Sequence, residues 1–133
     1  MERKEIENRE DVSLLVRSFY ARIRKHESLG PIFNDVIKDW ESHLGRLTDF
    51  WEMILLQSGP GAGKFSPVPV HKEVDAKTEN TITQVHFGNW LELWFSTLDT
   101  YFEGKNADYA KEHARNMAHI LFFRLMEARG IKM

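Results

Sequence analysis

A chain of 133 residues has the length for one domain with one cofactor-sized pocket, and the lack of cysteine excludes disulfides, thiolate metal sites and cysteine nucleophiles. Eighteen basic against twenty acidic residues leave a net charge of −2 with no long single-sign block, so neither nucleic acid nor an anionic membrane is indicated as a partner. The opening Met1-Glu2-Arg3-Lys4-Glu5-Ile6-Glu7 is too charged for a secretory leader, and no apolar run approaches the ~20 residues of a transmembrane helix, so a soluble, cytoplasmic protein is the expectation.

Asn8 can cap a first helix with Glu10 and Asp11 in its acidic first turn, and Val12, Leu15, Val16, Phe19, Tyr20 and Ile23 then recur at helical spacing. Tyr20 lies on the apolar face, so its hydroxyl needs an internal partner or a cavity. Glu27 to Pro31 predicts a break, and Ile32 to Ile37 a short helical turn that returns Phe33 to the core. Asp39 is a plausible cap for the next helix, whose apolar face collects Trp40, Leu44, Leu47, Phe50, Trp51, Ile54 and Leu55. His43 shares that stripe, three residues from Trp40 and four from Leu47. A lone histidine there is commonly a hydrogen-bonded core residue, but two inward polar side chains on neighbouring helices also suit a lined pocket.

Gln57 to Phe65 ends that helix and superficially resembles a phosphate loop. Ser58 stands at the first glycine position, Phe65 where the Ser/Thr should hold magnesium, and the segment follows a helix, so it reads as a connector. Pro67 and Pro69 then stiffen an extended segment from which a short helix can start, placing His71 in its first turn beside Val70 and Val74. Such a histidine suits an iron or zinc ligand; it also suits a surface position at a loop-to-helix junction. Thr81 with Gln84, or Thr83 alone, can cap a long helix that begins near His86 and carries Phe87, Trp90, Leu91, Trp94, Leu98, Tyr101 and Phe102 inward. Gly104 is its expected left-handed terminator. Asn106 is the expected cap of the last helix, in which Ala110, Ala114, Met117, Ala118, Leu121, Phe122 and Leu125 form a stripe ended by Gly130. The map is all-α, four main helices and two short ones.

Six histidines invite a metal, and spacing separates the options. No histidine has glutamate three residues before it, which removes a di-iron carboxylate bundle, and no two lie four apart as a helical zinc-protease site requires. No Gly-x-Ser-x-Gly elbow is present. One axial histidine, an aromatic-lined cavity and polar side chains facing it remain, a description that fits haem.

The residues just read resemble the truncated haemoglobins of group III (P-type), bacterial globins with a two-over-two helical sandwich. The likeness rests on Ser18-Phe19-Tyr20, Leu29-Gly30-Pro31-Ile32-Phe33, Trp40-x-x-His43, Asp49-Phe50-Trp51, Pro67 to His71 and His86-Phe87-x-x-Trp90-Leu91, in that order. It implies one truncated-globin domain over residues 1–133 that holds haem b, with His71 as proximal iron ligand and Tyr20, His43 and Trp90 on the distal side. Leu47, Phe50 and Trp51 would wall the pocket, Phe33 would pack on the porphyrin and Arg46 would meet a propionate. The link from His71 to Trp90 is longer than the family leads one to expect, around Ala76 to Asn80, which leaves His86 as a rival ligand.

Donors at Tyr20 and Trp90 would hold the partial negative charge on bound oxygen at ~0.5–1.5 kcal/mol each and slow its release. Oxygen, nitric oxide and carbon monoxide are the implied ligands. Slow release favours oxygen or nitric oxide redox chemistry, or peroxide handling, over storage; such an activity would need a reductase. The competing readings are a haem-based ligand sensor, for which no output domain is attached, and a cofactor-free helical interaction protein, in which Tyr20 and His43 are core residues.

Overall fold

The computed structural model describes residues 2–57 and 83–128. The glycine-rich connector, the short helix expected near Pro69, Val70, His71, Val74, the alternative cap Thr81 and the terminator Gly130 lie outside the described residues.

Five helices account for the described architecture: α1 (Arg9–Lys25), α2 (Leu29–Val36), α3 (Trp40–Leu56), α4 (Gln84–Tyr101) and α5 (Lys105–Ala128). The caps of α1 and α3 are those that the sequence predicts. Asn8 Oδ1 accepts from the Asp11 N–H at 2.9 Å, and Asp39 Oδ1 accepts from the Ser42 N–H at 3.1 Å. Each occupies one of the backbone donors that a helix start leaves without an internal partner, worth ~1 kcal/mol. The α3 helix stops at Gln57, whose φ of 55° turns the chain out of helical geometry without a glycine.

Two starts, those of α2 and α5, differ from expectation, and that of α4 falls on one of its two expected caps. The α2 helix begins at Leu29, ahead of Pro31, because a proline in the first turn removes an N–H that has no intrahelical partner anyway. Its cap comes from the preceding helix: His26 Nδ1 accepts from the backbone N–H of Ser28 at 3.1 Å and of Leu29 at 3.2 Å. Gly30 is required there, since a Cβ would stand 2.7 Å from the Arg24 carbonyl oxygen. The α4 helix starts after Thr83, the second of the two candidates, whose N–H donates to His86 Nδ1 at 2.9 Å. Asn106 is not the cap of α5. Glu5, from the N-terminal segment, accepts the Asn106 N–H on Oε1 at 3.0 Å, while Asn106 Nδ2 donates to the Ile6 carbonyl at 2.8 Å. A carboxylate at that helix start also opposes the positive end of the helix dipole. Gly104, at φ 105°, makes a left-handed turn but is not the terminator of α4, which ends on Phe102 in extended geometry two residues earlier; a Cβ at Gly104 would run into the Glu5 carboxylate.

The helices form two crossed layers. The α1 helix packs on α2, α3 and α4, and α5 packs on α4 and on α3. Phe19, Trp51 and Trp94 occupy the crossing: Trp94 is 1% exposed, meets Phe19 edge-on at 4.9 Å and stacks on Trp51 at 4.7 Å. Its indole N–H donates to the Ala110 carbonyl of α5 at 3.1 Å, a contact that the buried small residues Ala107, Ala110 and Ala114 permit by letting α5 approach closely. At the edge, the N-terminal segment pairs with the turn after α4 through Glu103 N–H to Lys4 O at 2.9 Å. Among the described residues, no helix is long and apolar enough to cross a membrane.

Candidate functional site

Tyr20 is the centre of the site. Its position at the last inward turn of α1 follows from the Val12–Val16–Phe19–Ile23 stripe, and it is 7% exposed. Four rings surround it: Phe19 edge-on at 4.8 Å, Phe33 of α2 at 5.9 Å, Trp40 at 5.9 Å and His43 edge-on at 5.6 Å. Trp40 and His43 lie in the first turn of α3, three residues apart and therefore on one face, with rings 5.8 Å apart at 89°. From the opposite layer, Trp90 approaches the Tyr20 hydroxyl as a side-chain donor that lowers the phenol's pKa. The structure thus brings the three residues singled out on α1, α3 and α4 to one aromatic cluster.

The electrostatics of Tyr20 follow from that enclosure. Burial pushes its pKa well above the ordinary phenol value, and the Trp90 hydrogen bond offsets this only in part. The phenol is neutral and keeps its proton. A donor directed at the phenol oxygen polarises the O–H towards an acceptor. Trp90 is held in turn by parallel stacking on Trp94 at 5.9 Å and by the edge of Phe19 at 5.4 Å.

The other expected residues divide by burial. Leu47 and Trp51 are buried on α3, and Phe50 is half-buried with its ring 5.4 Å from Trp51. Phe33 is half-buried against Tyr20, and Arg46 is exposed on α3. His86 is engaged at the start of α4: its Nδ1 accepts the Thr83 N–H, which in the neutral ring leaves the proton on Nε2 and no lone pair there for a metal. Among the described residues, no group of three or more His, Asp or Glu side chains is gathered to hold a metal ion.

A second feature has no counterpart in the sequence reading. His113 of α5 sits among the rings of Trp51 at 5.5 Å, Phe50 at 6.2 Å and Tyr109 at 5.9 Å, and burial lowers its pKa. It lines an apolar cavity of about 330 Å³ with Phe50, Ile54, Asn116, Met117, Ile120 and Leu121. The cavity shares Phe50 with the expected pocket wall but touches none of Tyr20, His43 and Trp90. The Tyr109-to-His113 spacing of four residues was its only trace in the sequence.

No protein-family model matches the chain. It is 31% identical over 123 residues, covering 84% of this chain and 91% of the relative, to the group 3 truncated hemoglobin ctb of Campylobacter jejuni. Its fold matches the crystal structure of the group III truncated hemoglobin from Campylobacter jejuni with a TM-score of 0.80 at 27% identity, over 93% of this chain and 95% of that one. On this extent of shared sequence and shared all-α globin fold, the chain belongs to the group III truncated haemoglobins.

Proposed function

We propose that this protein binds haem b and takes diatomic gases at a distal pocket made by Tyr20, His43 and Trp90, with His71 as the proximal ligand. The observation that carries the reading is the convergence on Tyr20: a neutral, buried phenol that retains a proton to donate, with Trp90 directed at its oxygen and aromatic side chains around it. The described residues fit the group, since they offer a dry wall of rings and polar hydrogens on one side. His86 and His26 each accept a backbone N–H on Nδ1, which favours His71 as the axial residue.

Haem, when bound, supplies an iron that coordinates a diatomic gas and exchanges electrons with it. The chain's own part is to hold a proton at Tyr20 Oη and to orient it through Trp90. It also excludes water with Phe19, Phe33 and Trp40, and places the His43 imidazole at the edge of Tyr20. Leu47, Phe50 and Trp51 form the apolar wall, Phe33 a face against the porphyrin, and exposed Arg46 a cation for a propionate. Donation by Tyr20, strengthened by Trp90, retards the release of oxygen. That behaviour suits oxygen or nitric oxide redox chemistry, or peroxide handling, fed by a reductase, rather than transport.

Titration of the apoprotein with hemin tests the reading. It predicts a Soret band that saturates at one haem per chain; a chain that saturates with none refutes it.

A further inference from the structure

Arg24 lies one turn beyond Tyr20 on α1, outside every role given above. Its guanidinium carbon stands 4.5 Å from the centre of the Trp40 ring. Its Nε donates to Asn34 Oδ1 at 3.2 Å, and Asn34 Nδ2 donates back to the Arg24 carbonyl at 3.2 Å, so α1 and α2 grip each other through one reciprocal pair. The close seat of Gly30 on the Arg24 carbonyl fixes that corner further. Trp40 is the first residue of α3, reached from α2 through only Ile37, Lys38 and Asp39, and its ring also meets Tyr20 at a tilt and His43 edge-on.

From this arrangement we propose that Arg24 is a positioning residue that latches Trp40 over the outer side of Tyr20 and His43, and that opening this latch sets how fast a diatomic ligand enters. The proposal rests on Tyr20 and His43 being the distal site. Arg24 and Asn34 are both exposed, so the latch sits on the solvent face of a buried cluster, where a cation–aromatic contact is weak enough to break and reform. The planar guanidinium serves both neighbours at once, stacking on Trp40 while its Nε reaches Asn34. A lysine keeps the charge and loses the fork.

Carbon monoxide association to the reduced, haem-loaded protein, followed by stopped flow, tests the latch. Arg24→Ala and Asn34→Ala are each expected to speed association about two- to fivefold, the scale of one exposed cation–aromatic contact. Arg24→Lys should fall between Arg24→Ala and the parent. Trp40→Leu should be faster still, and in that background Arg24→Ala should add nothing, because the latch acts only through the ring. A separate readout is hydrogen exchange at the Trp40 indole N–H, which should quicken in Arg24→Ala while amides in the middle of α1 exchange as before. Unchanged association or unchanged indole exchange in Arg24→Ala overturns the latch, as does an equal effect of Arg24→Ala with Trp40 present or absent. Failure of the protein to take up haem at all overturns instead the distal-site reading beneath it.

Discussion

Tyr20→Phe is the sharpest perturbation of the distal cluster, because it keeps a ring that touches Phe19, Phe33, Trp40 and His43 and deletes one hydroxyl. Two hydrogen bonds change together. The O–H donor to the ligand is lost, and the Trp90 indole N–H loses its acceptor. One net hydrogen bond of ~1 kcal/mol corresponds to about a fivefold faster oxygen release, and tenfold marks the upper end. Trp90→Phe removes only the polarisation of the phenol, so about a two- to threefold acceleration is expected. In the Tyr20→Phe background, Trp90→Phe should change little, since Trp90 acts through Tyr20. Stopped-flow oxygen dissociation on the four proteins checks this. Release that is unchanged or slower in Tyr20→Phe would refute the reasoning, for it would mean that the freed indole is the better donor.

Three further outcomes follow from the geometry. Glu5→Ala removes the acceptor at the start of α5 and should cost ~1 kcal/mol in urea unfolding, with Gly104→Ala costing at least as much because it adds strain at φ 105° and a clash with Glu5. Tyr20 keeps its proton in the fold while an unfolded phenol releases it near pH ~10, so its contribution is complete below that pH and stability falls as pH rises further; Tyr20→Phe should flatten that alkaline loss in unfolding measured between pH 8 and about 11. His71→Gly should lose haem or become rescuable by imidazole, while His86→Gly should alter only the start of α4; a spectrum lost in His86→Gly and kept in His71→Gly would reverse the assignment.

Local chemistry was the part of this fold legible in the sequence. Asn8 and Asp39 cap helices by accepting from backbone N–H groups three residues on, and the inward stripes of α1 and α3 needed only helical periodicity to place Tyr20, His43, Leu47 and Trp51. What escaped it depends on chain segments distant in sequence. Asn106 has the composition of a cap, yet the acceptor at that helix start comes from Glu5, a hundred and one residues away. Pro31 looks like a breaker, yet it sits harmlessly in a first turn capped by His26, a residue type seldom sought for that duty. The Trp90-to-Tyr20 bond and the Arg24 stack on Trp40 join different helices and leave no spacing to read. His113 is silent for the same reason, since its neighbours Phe50 and Trp51 belong to α3.

The central claim is that the cluster around Tyr20 is one side of a haem pocket, and the absorption spectrum of the dithionite-reduced, haem-reconstituted protein before and after carbon monoxide tests it most directly. The account predicts a Soret band that sharpens and moves on adding carbon monoxide, and that depends on His71. A reduced protein whose spectrum equals that of free haem, with no change in the band on adding carbon monoxide beyond that of free haem itself, would contradict it.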